Sequence, residues 1–415
     1  MKKSFILLIL FTAATHILAQ NITFMNSFTE NFNTSATPSN FRFGSGGANR
    51  STWTSGVESE IEPGTRVMRL AMHPDNAAEP WQGPNFESTR LTQFGRYSAR
   101  IKIPSVDVQP LVGGVVGFFT YYNDEYNDQL PKDENKDGLN DNSEIDFEWL
   151  IANPQLVYMT AWTDHDVRTG TCKKVARIVN LATGQILTTN YLNGRLGSSG
   201  VRLTGIENQP ETIRAIPGFD ASKQFYTYGF DWRTDNIRWW ILNPENELDT
   251  ITLWDYRENP AVEERRITQK PAYLLINFWH TNNWDAEGVR GSREKPNSIF
   301  YADFDWVRYE TLSDISNTAI SGAQKNVTSS KVAKTVNAFI MNRQLNLSFP
   351  TGINSSNANI ALYDVRGRLL FESDINVTKN FASVVLPKLI AKNQMVILQI
   401  KTNDFDFAKQ LFVKQ

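Results

Sequence analysis

The sequence predicts an all-β protein with many antiparallel strands packed as sandwiches. Three observations carry that expectation. Short runs alternate apolar and polar residues, as in Tyr97-Ser98-Ala99-Arg100-Ile101-Lys102-Ile103, Tyr226-Thr227-Tyr228-Gly229-Phe230-Asp231-Trp232 and Asn236-Ile237-Arg238-Trp239-Trp240-Ile241. A period of two with β-branched and aromatic residues is the pattern of half-buried strands. Gly, Pro, Asn and Asp separate the runs, as turns require, and no stretch of helix length keeps a 3.6-residue apolar period.

Along the 415-residue chain, Lys2 and Lys3, the apolar run Phe5 to Phe11 and the small residues from Ala13 to Ala19 read as a secretory signal. It is expected to span 1–19, with cleavage after Ala19. The apolar run is too short to cross a bilayer comfortably, and no later stretch looks transmembrane, so no membrane span is expected. A large domain over 20–312 follows. From 313 to 336 the aromatics vanish and Ser, Thr, Asn, Ala and Lys dominate, a linker composition. Strand patterns resume over 337–415, in Gln344 to Phe349, Ile360 to Val365 and Val396 to Ile400, with Arg366-Gly367-Arg368 as a hairpin turn. These residues are expected to form a small separate β-sandwich.

The net charge of −2, without a long Lys/Arg cluster, argues against nucleic acid as a partner. The single cysteine, Cys172, excludes an internal disulfide framework, so the fold must hold by burial.

The chemistry concentrates in Ser143-Glu144-Ile145-Asp146-Phe147-Glu148-Trp149. In a strand, Glu144, Asp146 and Glu148 share one face, and Ile145, Phe147 and Trp149 take the core face. At about 3.3 Å per residue, the α-carbons of Glu144 and Glu148 lie about 13 Å apart. If each side chain leans about 4 Å inward, the carboxyls come within about 5–6 Å, the separation of retaining glycosidases. Crowded acids raise one another's pKa, which a general acid needs. The plain alternative is a solvated acidic strand face. Against it, like charges in a row are a liability on a purely structural surface. The run is also set among Phe119, Tyr121, Trp149, Trp162, Trp279 and Trp284. Each ring taken singly reads first as core packing; together with the acids they read as a sugar cleft.

Glu144-Ile145-Asp146-Phe147-Glu148 resembles the active-site motif of glycoside hydrolase family 16, and within it the lichenases (endo-β-1,3-1,4-glucanases). The likeness runs from about Phe28 to Leu312, through Phe94 to Lys102, Gly117-Phe118-Phe119-Thr120-Tyr121, Tyr228 to Trp232, Asn277-Phe278-Trp279 and Tyr301 to Tyr309. The resemblance implies a concanavalin-like β-jelly-roll with a cleft on its concave face, a β-glucan polysaccharide as substrate and no organic cofactor. By position it implies Glu144 as nucleophile, Asp146 as its helper and Glu148 as acid/base. Phe119, Tyr121, Trp162, Asn277 and Trp279 fall at sugar contacts, and Asp305 falls where lichenases hold a structural calcium. Mixed-linkage β-1,3-1,4-glucan is the first substrate expectation. A β-1,3-glucanase (laminarinase), another β-glycan hydrolase of the family and a non-catalytic glycan-binding sandwich are the alternatives.

The sequence departs from the lichenase pattern in several places. Asn142 stands where lichenases carry a tryptophan, Thr160 where they carry an asparagine, and the cleft-wall Glu-x-Arg has no clear match between Asn85 and Arg90. An insertion between Tyr121 and Glu144 places Asp133, Asn135, Asp137 and Asp141 at positions 1, 3, 5 and 9 of an EF-hand-like loop, with Gly138 at position 6. Position 12 would be Glu144, which the chemistry needs free. The loop is therefore expected to hold calcium with another last ligand (Asp124, Glu125 or Asp128), the alternative being a solvated polar loop.

The C-terminal segments Asn346 to Phe349, Leu362 to Leu370 and Lys409 to Lys414 resemble the sorting tail of the type IX secretion system. That implies the type IX secretion machinery as partner, export through the periplasm and a secreted or cell-surface location. A carbohydrate-binding module is the rival reading, which the lack of tryptophan after 336 disfavours.

Overall fold

The computed structural model describes residues 24–43, 52–74, 83–262, 264, 266–312, 337–341, 344–349, 357–363, 369–378, 381–387, 395–402 and 406–412. The expected signal (1–19) and linker (313–336) lie outside the described residues. Among the described residues, strands make almost all the regular structure, and no helix is long and apolar enough to cross a membrane.

Two antiparallel sheets build the large domain. One has eight strands, ordered Asn246–Arg257, Asn236–Asn243, Tyr226–Trp232, Gly95–Lys102, Phe300–Glu310, Arg66–Met72 and Thr52–Glu58, with Phe28–Glu30 added beside Phe300–Glu310. The other has nine, ordered Val201–Arg202, Gln185–Arg195, Thr171–Asn180, Leu156–Asp166, Asp141–Leu150, Gly114–Asn123, Tyr273–His280, Asn85–Ser88 and Phe41–Phe43. The acid run thus sits on the fifth of nine strands, in the middle of its sheet.

The core lies between the two sheets. Ile145, Phe147 and Trp149 are fully buried there, as their alternation predicts. Trp149 meets Tyr228 of the facing sheet edge-on at 4.6 Å between ring centres. Trp239, also of the facing sheet, donates its indole N–H to the backbone carbonyl of Asp146 at 2.9 Å. The strand carrying the acids is therefore pinned from behind by large rings, each worth about 1.5–3 kcal/mol of burial. That fixes the register, and a slip of one residue would turn all three acids into the core.

The outer face of the eight-stranded sheet is polar, with Arg69–Asp303, Arg96–Asp231 and Arg100–Asp305 ion pairs bridging its strands. A second cluster, including Leu345, Leu347, Ile360, Leu362, Val396, Leu398 and Ile400, shares no residue with the first. It lies between a three-stranded and a four-stranded antiparallel sheet. This agrees with a second, small β-sandwich.

Candidate active site

Pairing places the cleft residues in three rows across the nine-stranded sheet. Tyr273, Tyr121, Glu144, Trp162 and Lys174 form one row. Leu275, Phe119, Asp146, Thr160 and Ala176 form the next, and Asn277, Gly117, Glu148, Tyr158 and Ile178 the third. Pairing is unbroken from Glu144 to Glu148 on both sides, the nearest register shift falling between Asp141 and Glu144. The strand is regular where the two glutamates sit, so the spacing of about 13 Å between their α-carbons applies.

Phe119, Tyr121, Trp162, Asn277 and Trp279 are all partly exposed on strands whose other residues are mostly buried. Phe119 and Tyr121 pack on Leu91, Tyr273 and Leu275 at one end of the acid row. Trp279 and Trp284 pack on Val115, Leu150 and Tyr158 at the other. Trp149, the remaining aromatic of the sequence reading, is a core residue. The apolar walls thus flank the acids on the same face, a surface suited to pyranose rings.

The acids are held unequally. Glu144 Oε2 accepts from Asn142 Nδ2 at 2.6 Å. Asp146 Oδ2 accepts from the Thr160 hydroxyl and, at 3.1 Å, from Trp162 Nε1. Burial, reinforced by Asp146, pushes Glu144 well above the ordinary carboxyl range, while Asn142 and Lys174 pull against it. Burial raises Asp146 to about 7, with Thr160 and Trp162 opposing. Burial and the charge of Asp146 raise Glu148 to about 8. Three acids this close cannot all ionise near neutrality, so the site keeps protons. Glu148 is the one whose raised value suits a general acid. The nucleophile role asks Glu144 to ionise first, and its amide donor is the contact that favours this.

Three cleft residues escaped the sequence reading. Asn85 pairs with Asn277 and Glu87 with Leu275, which extends two of the rows by one strand. The side-chain oxygens of Asn85 and Asn277 are buried without a hydrogen-bond partner among the described residues. Gly117 makes room there, since a Cβ would collide with Asn277 Oδ1. Lys174 is the third, its ammonium 4.0 Å from the ring centre of Trp162. The pairing skips Thr163 of the neighbouring strand between Lys173 and Lys174, which brings Lys174 opposite Trp162.

The metal candidates separate into two places. Asp305 stands on the eight-stranded sheet in an ion pair with Arg100 at 2.8 Å and does not join the loop. In the loop, Asp133 accepts from the backbone N–H groups of Asp137 and Gly138, and Asn135 from that of Asp137. Asp137 accepts from Lys173, and Asp141 from Lys270 at 2.9 Å. Gly138 takes the left-handed turn (φ 85°) that position 6 demands. Among the described residues, no group of three or more His, Cys, Asp or Glu side chains is placed to hold a metal ion. Of the alternative last ligands, Asp124 is taken by Lys270 and Asp128 by Lys132.

Residues 177–307 match the family described as Glycosyl hydrolases family 16. Two curated relatives, both named beta-glucanase, match over short stretches. The Brevibacillus brevis protein is 37% identical over 97 residues, covering 23% of this chain and 31% of that one. The Paenibacillus macerans protein is 32% identical over 92 residues, covering 22% and 32%. The matches thus span about a third of the length of these relatives. A solved Bacillus licheniformis beta-glucanase superposes with a TM-score of 0.38 at 20% identity, over 69% of this chain and 99% of that one. The family match begins past Glu148, so sheet register alone places the acid triplet.

Proposed function

We propose that the chain is a secreted, endo-acting, retaining β-glycan hydrolase, with mixed-linkage β-1,3-1,4-glucan as its first substrate. The observation that carries this reading is the row of Glu144, Asp146 and Glu148 on one regular strand face, flanked by partly exposed aromatics. The family match and the beta-glucanase relatives support it.

In this reading Glu148, protonated, gives its proton to the glycosidic oxygen as Glu144 attacks the anomeric carbon. The C–O bond to the leaving sugar breaks and a glycosyl ester to Glu144 forms. Glu148, now ionised, takes a proton from water, whose oxygen displaces Glu144 and restores the starting state. Asp146, anchored by Thr160 and Trp162, holds charge beside the nucleophile and tunes when it ionises.

The test is release of new reducing ends from lichenan, laminarin, xyloglucan and agarose, with the product anomer read by NMR. Lichenan is expected to be cut fastest, with retention. Full activity in Glu144→Gln would sink the assignment, and glycan binding without cleavage would favour a lectin-like sandwich.

Two further readings go with this one. The loop at 133–141 takes calcium through Asp133, Asn135 and Asp137 in competition with the Lys173 ammonium, which now satisfies Asp137. Calorimetric titration of calcium into chelator-treated protein should then show binding that Asp137→Ala abolishes; binding unchanged by that substitution would refute it. The 337–415 domain directs export by the type IX machinery, so deleting it should strand the enzyme in the periplasm. Normal export of the truncated chain would count against that.

A further inference from the structure

Asn142, where the lichenase pattern has a tryptophan, is held in one orientation by its surroundings. Its Nδ2 donates to Glu144 Oε2 at 2.6 Å. Its Oδ1 accepts from Asn123 Nδ2 at 2.9 Å. Asn123 is fixed in turn, because its Oδ1 accepts from the backbone N–H of Glu125 at 2.8 Å and its Nδ2 also donates to the His165 carbonyl at 3.1 Å. Both amides are completely buried. Turning either one over would set oxygen against oxygen and leave an N–H without an acceptor, a cost of about 1–3 kcal/mol for each unmade buried bond. The chain of donors therefore runs one way only, from Asn123 to Asn142 to Glu144.

The two asparagines are also the last pair of the ladder between their strands, opposite each other where the insertion leaves the sheet. The next residues, Asp124 and Asp141, are joined by a backbone bond at 3.1 Å and bridged by the Lys270 ammonium at 2.6 and 2.9 Å. The stem of the insertion and the orientation of Asn142 are thus parts of one buried polar assembly.

We propose that Asn142 is a positioning residue for the nucleophile, oriented by Asn123, and that the inserted loop serves catalysis by holding this amide pair in place. The inference rests on the hydrolase reading given above. The buried N–H fixes one oxygen of the Glu144 carboxyl and favours its ionised form. The charged groups that act on that carboxyl are Asp146 and Glu148 of its own strand and Lys174 of the strand Thr171–Asn180. Tyr121 and Cys172 also lie near enough to feel its charge. Asn142 is thus the neutral donor that works with Lys174 against two acids.

The experiment compares the full chain with Asn142→Ala, Asn142→Leu and Asn123→Ala. Leucine keeps the branched outline of asparagine and removes both its donor to Glu144 and its acceptor from Asn123. Both Asn142 variants are expected to lose about 10- to 100-fold in kcat/KM, the worth of one hydrogen bond to a charged group. The acid limb of their pH profiles should move to higher pH. Asn123→Ala, which does not touch Glu144, should move both in the same direction by less. A merely structural role would let leucine restore the rate and would leave the acid limb in place, and that result overturns the proposal. Carbon-13 titration of the Glu144 carboxyl gives a readout independent of turnover. It should rise in the Asn142 variants, and an unmoved titration overturns the proposal even if activity falls. If the unaltered chain cuts no glycan, the hydrolase reading fails, and the carboxyl titration still decides the role of Asn142.

Discussion

Trp162 donates its indole N–H to Asp146 Oδ2 at 3.1 Å while the Lys174 ammonium rests 4.0 Å from the centre of the same ring. Sheet register brings this about, for Trp162 lies opposite Glu144 on one side and Lys174 on the other. One side chain thus offers an apolar face to the cleft, a polar edge to the helper acid and a seat for a cation. Trp162→Phe separates these roles. It keeps an aromatic ring and removes the N–H that lowers the pKa of Asp146. It should reduce kcat about 3- to 10-fold, the worth of one ordinary to charge-assisted bond, with KM little changed. Trp162→Ala should raise KM as well. Steady-state kinetics on the fastest-cut glycan decide, and an effect of the phenylalanine variant on KM alone would show that the N–H is idle.

In the proposed mechanism, the raised pKa of Glu148 sets the alkaline side of the rate profile. A general acid must carry its proton into the bond-breaking step, and Glu148 loses its proton near pH 8. Activity on polysaccharide should therefore fall as pH rises through about 8. An aryl glycoside whose leaving group needs no proton should show no such fall in its first-turnover burst. Persistence of the alkaline limb with that substrate would remove Glu148 from the acid role.

The same shift makes a statement about stability. An ordinary glutamate titrates near about 4.3, whereas folded Glu148 holds its proton to about 8. Across that window the folded chain binds a proton that the unfolded chain has released, so stability declines as pH rises. Glu148→Gln removes this titration. The variant should exceed the unaltered chain by several kcal/mol at pH 8, with the difference vanishing toward pH 4. Denaturant unfolding at the two pH values measures it. An advantage that grows at low pH would mean that the carboxyl is stabilised as the anion.

What could be read in the sequence was whatever alternation fixes. Ile145, Phe147 and Trp149 fell into the core and the acids onto the opposite face because both follow from a period of two. Arg177 shows where that reasoning stops. It points into the core fully buried, between Val175 and Val179, and a charged residue at such a position reads as solvent-facing. The structure accommodates it with Thr189, Asn208 and the carbonyls of Pro210 and Leu253 as acceptors and with the Trp254 ring beside it. Those partners come from three other segments, so no local pattern announces them. The Lys174–Trp162 contact and the Asn123–Asn142 pair were hidden because each joins residues of two different strands. Asn142 could be noticed only as an unexpected residue before the acid run, because its acceptor and its orienting donor meet only when the sheet forms.

Lys270 is the last residue of this kind, and it bears on how the inserted loop is attached. Its ammonium is buried, 2.6 Å from Asp124 Oδ1, 2.9 Å from Asp141 Oδ2 and 2.6 Å from the Pro131 carbonyl. All three acceptors belong to the insertion or its stem, while Lys270 itself precedes the strand Tyr273–His280. Lys270→Met preserves most of the stem and removes the charge, leaving two carboxylates without their shared counter-ion. Breaking a buried pair from one side costs about 3–5 kcal/mol, so the unfolding midpoint should fall markedly. Activity should fall with it even where the sheet remains folded, because Asp124 and Asp141 hold the ends from which Asn123 and Asn142 project. Adding Asp124→Asn and Asp141→Asn to Lys270→Met removes the stranded charges and should recover much of the stability. Recovery of stability without recovery of kcat would separate the fold-holding part of the clamp from its hold on Glu144. A single Lys270→Met variant with unchanged stability would show that the ammonium contributes nothing net.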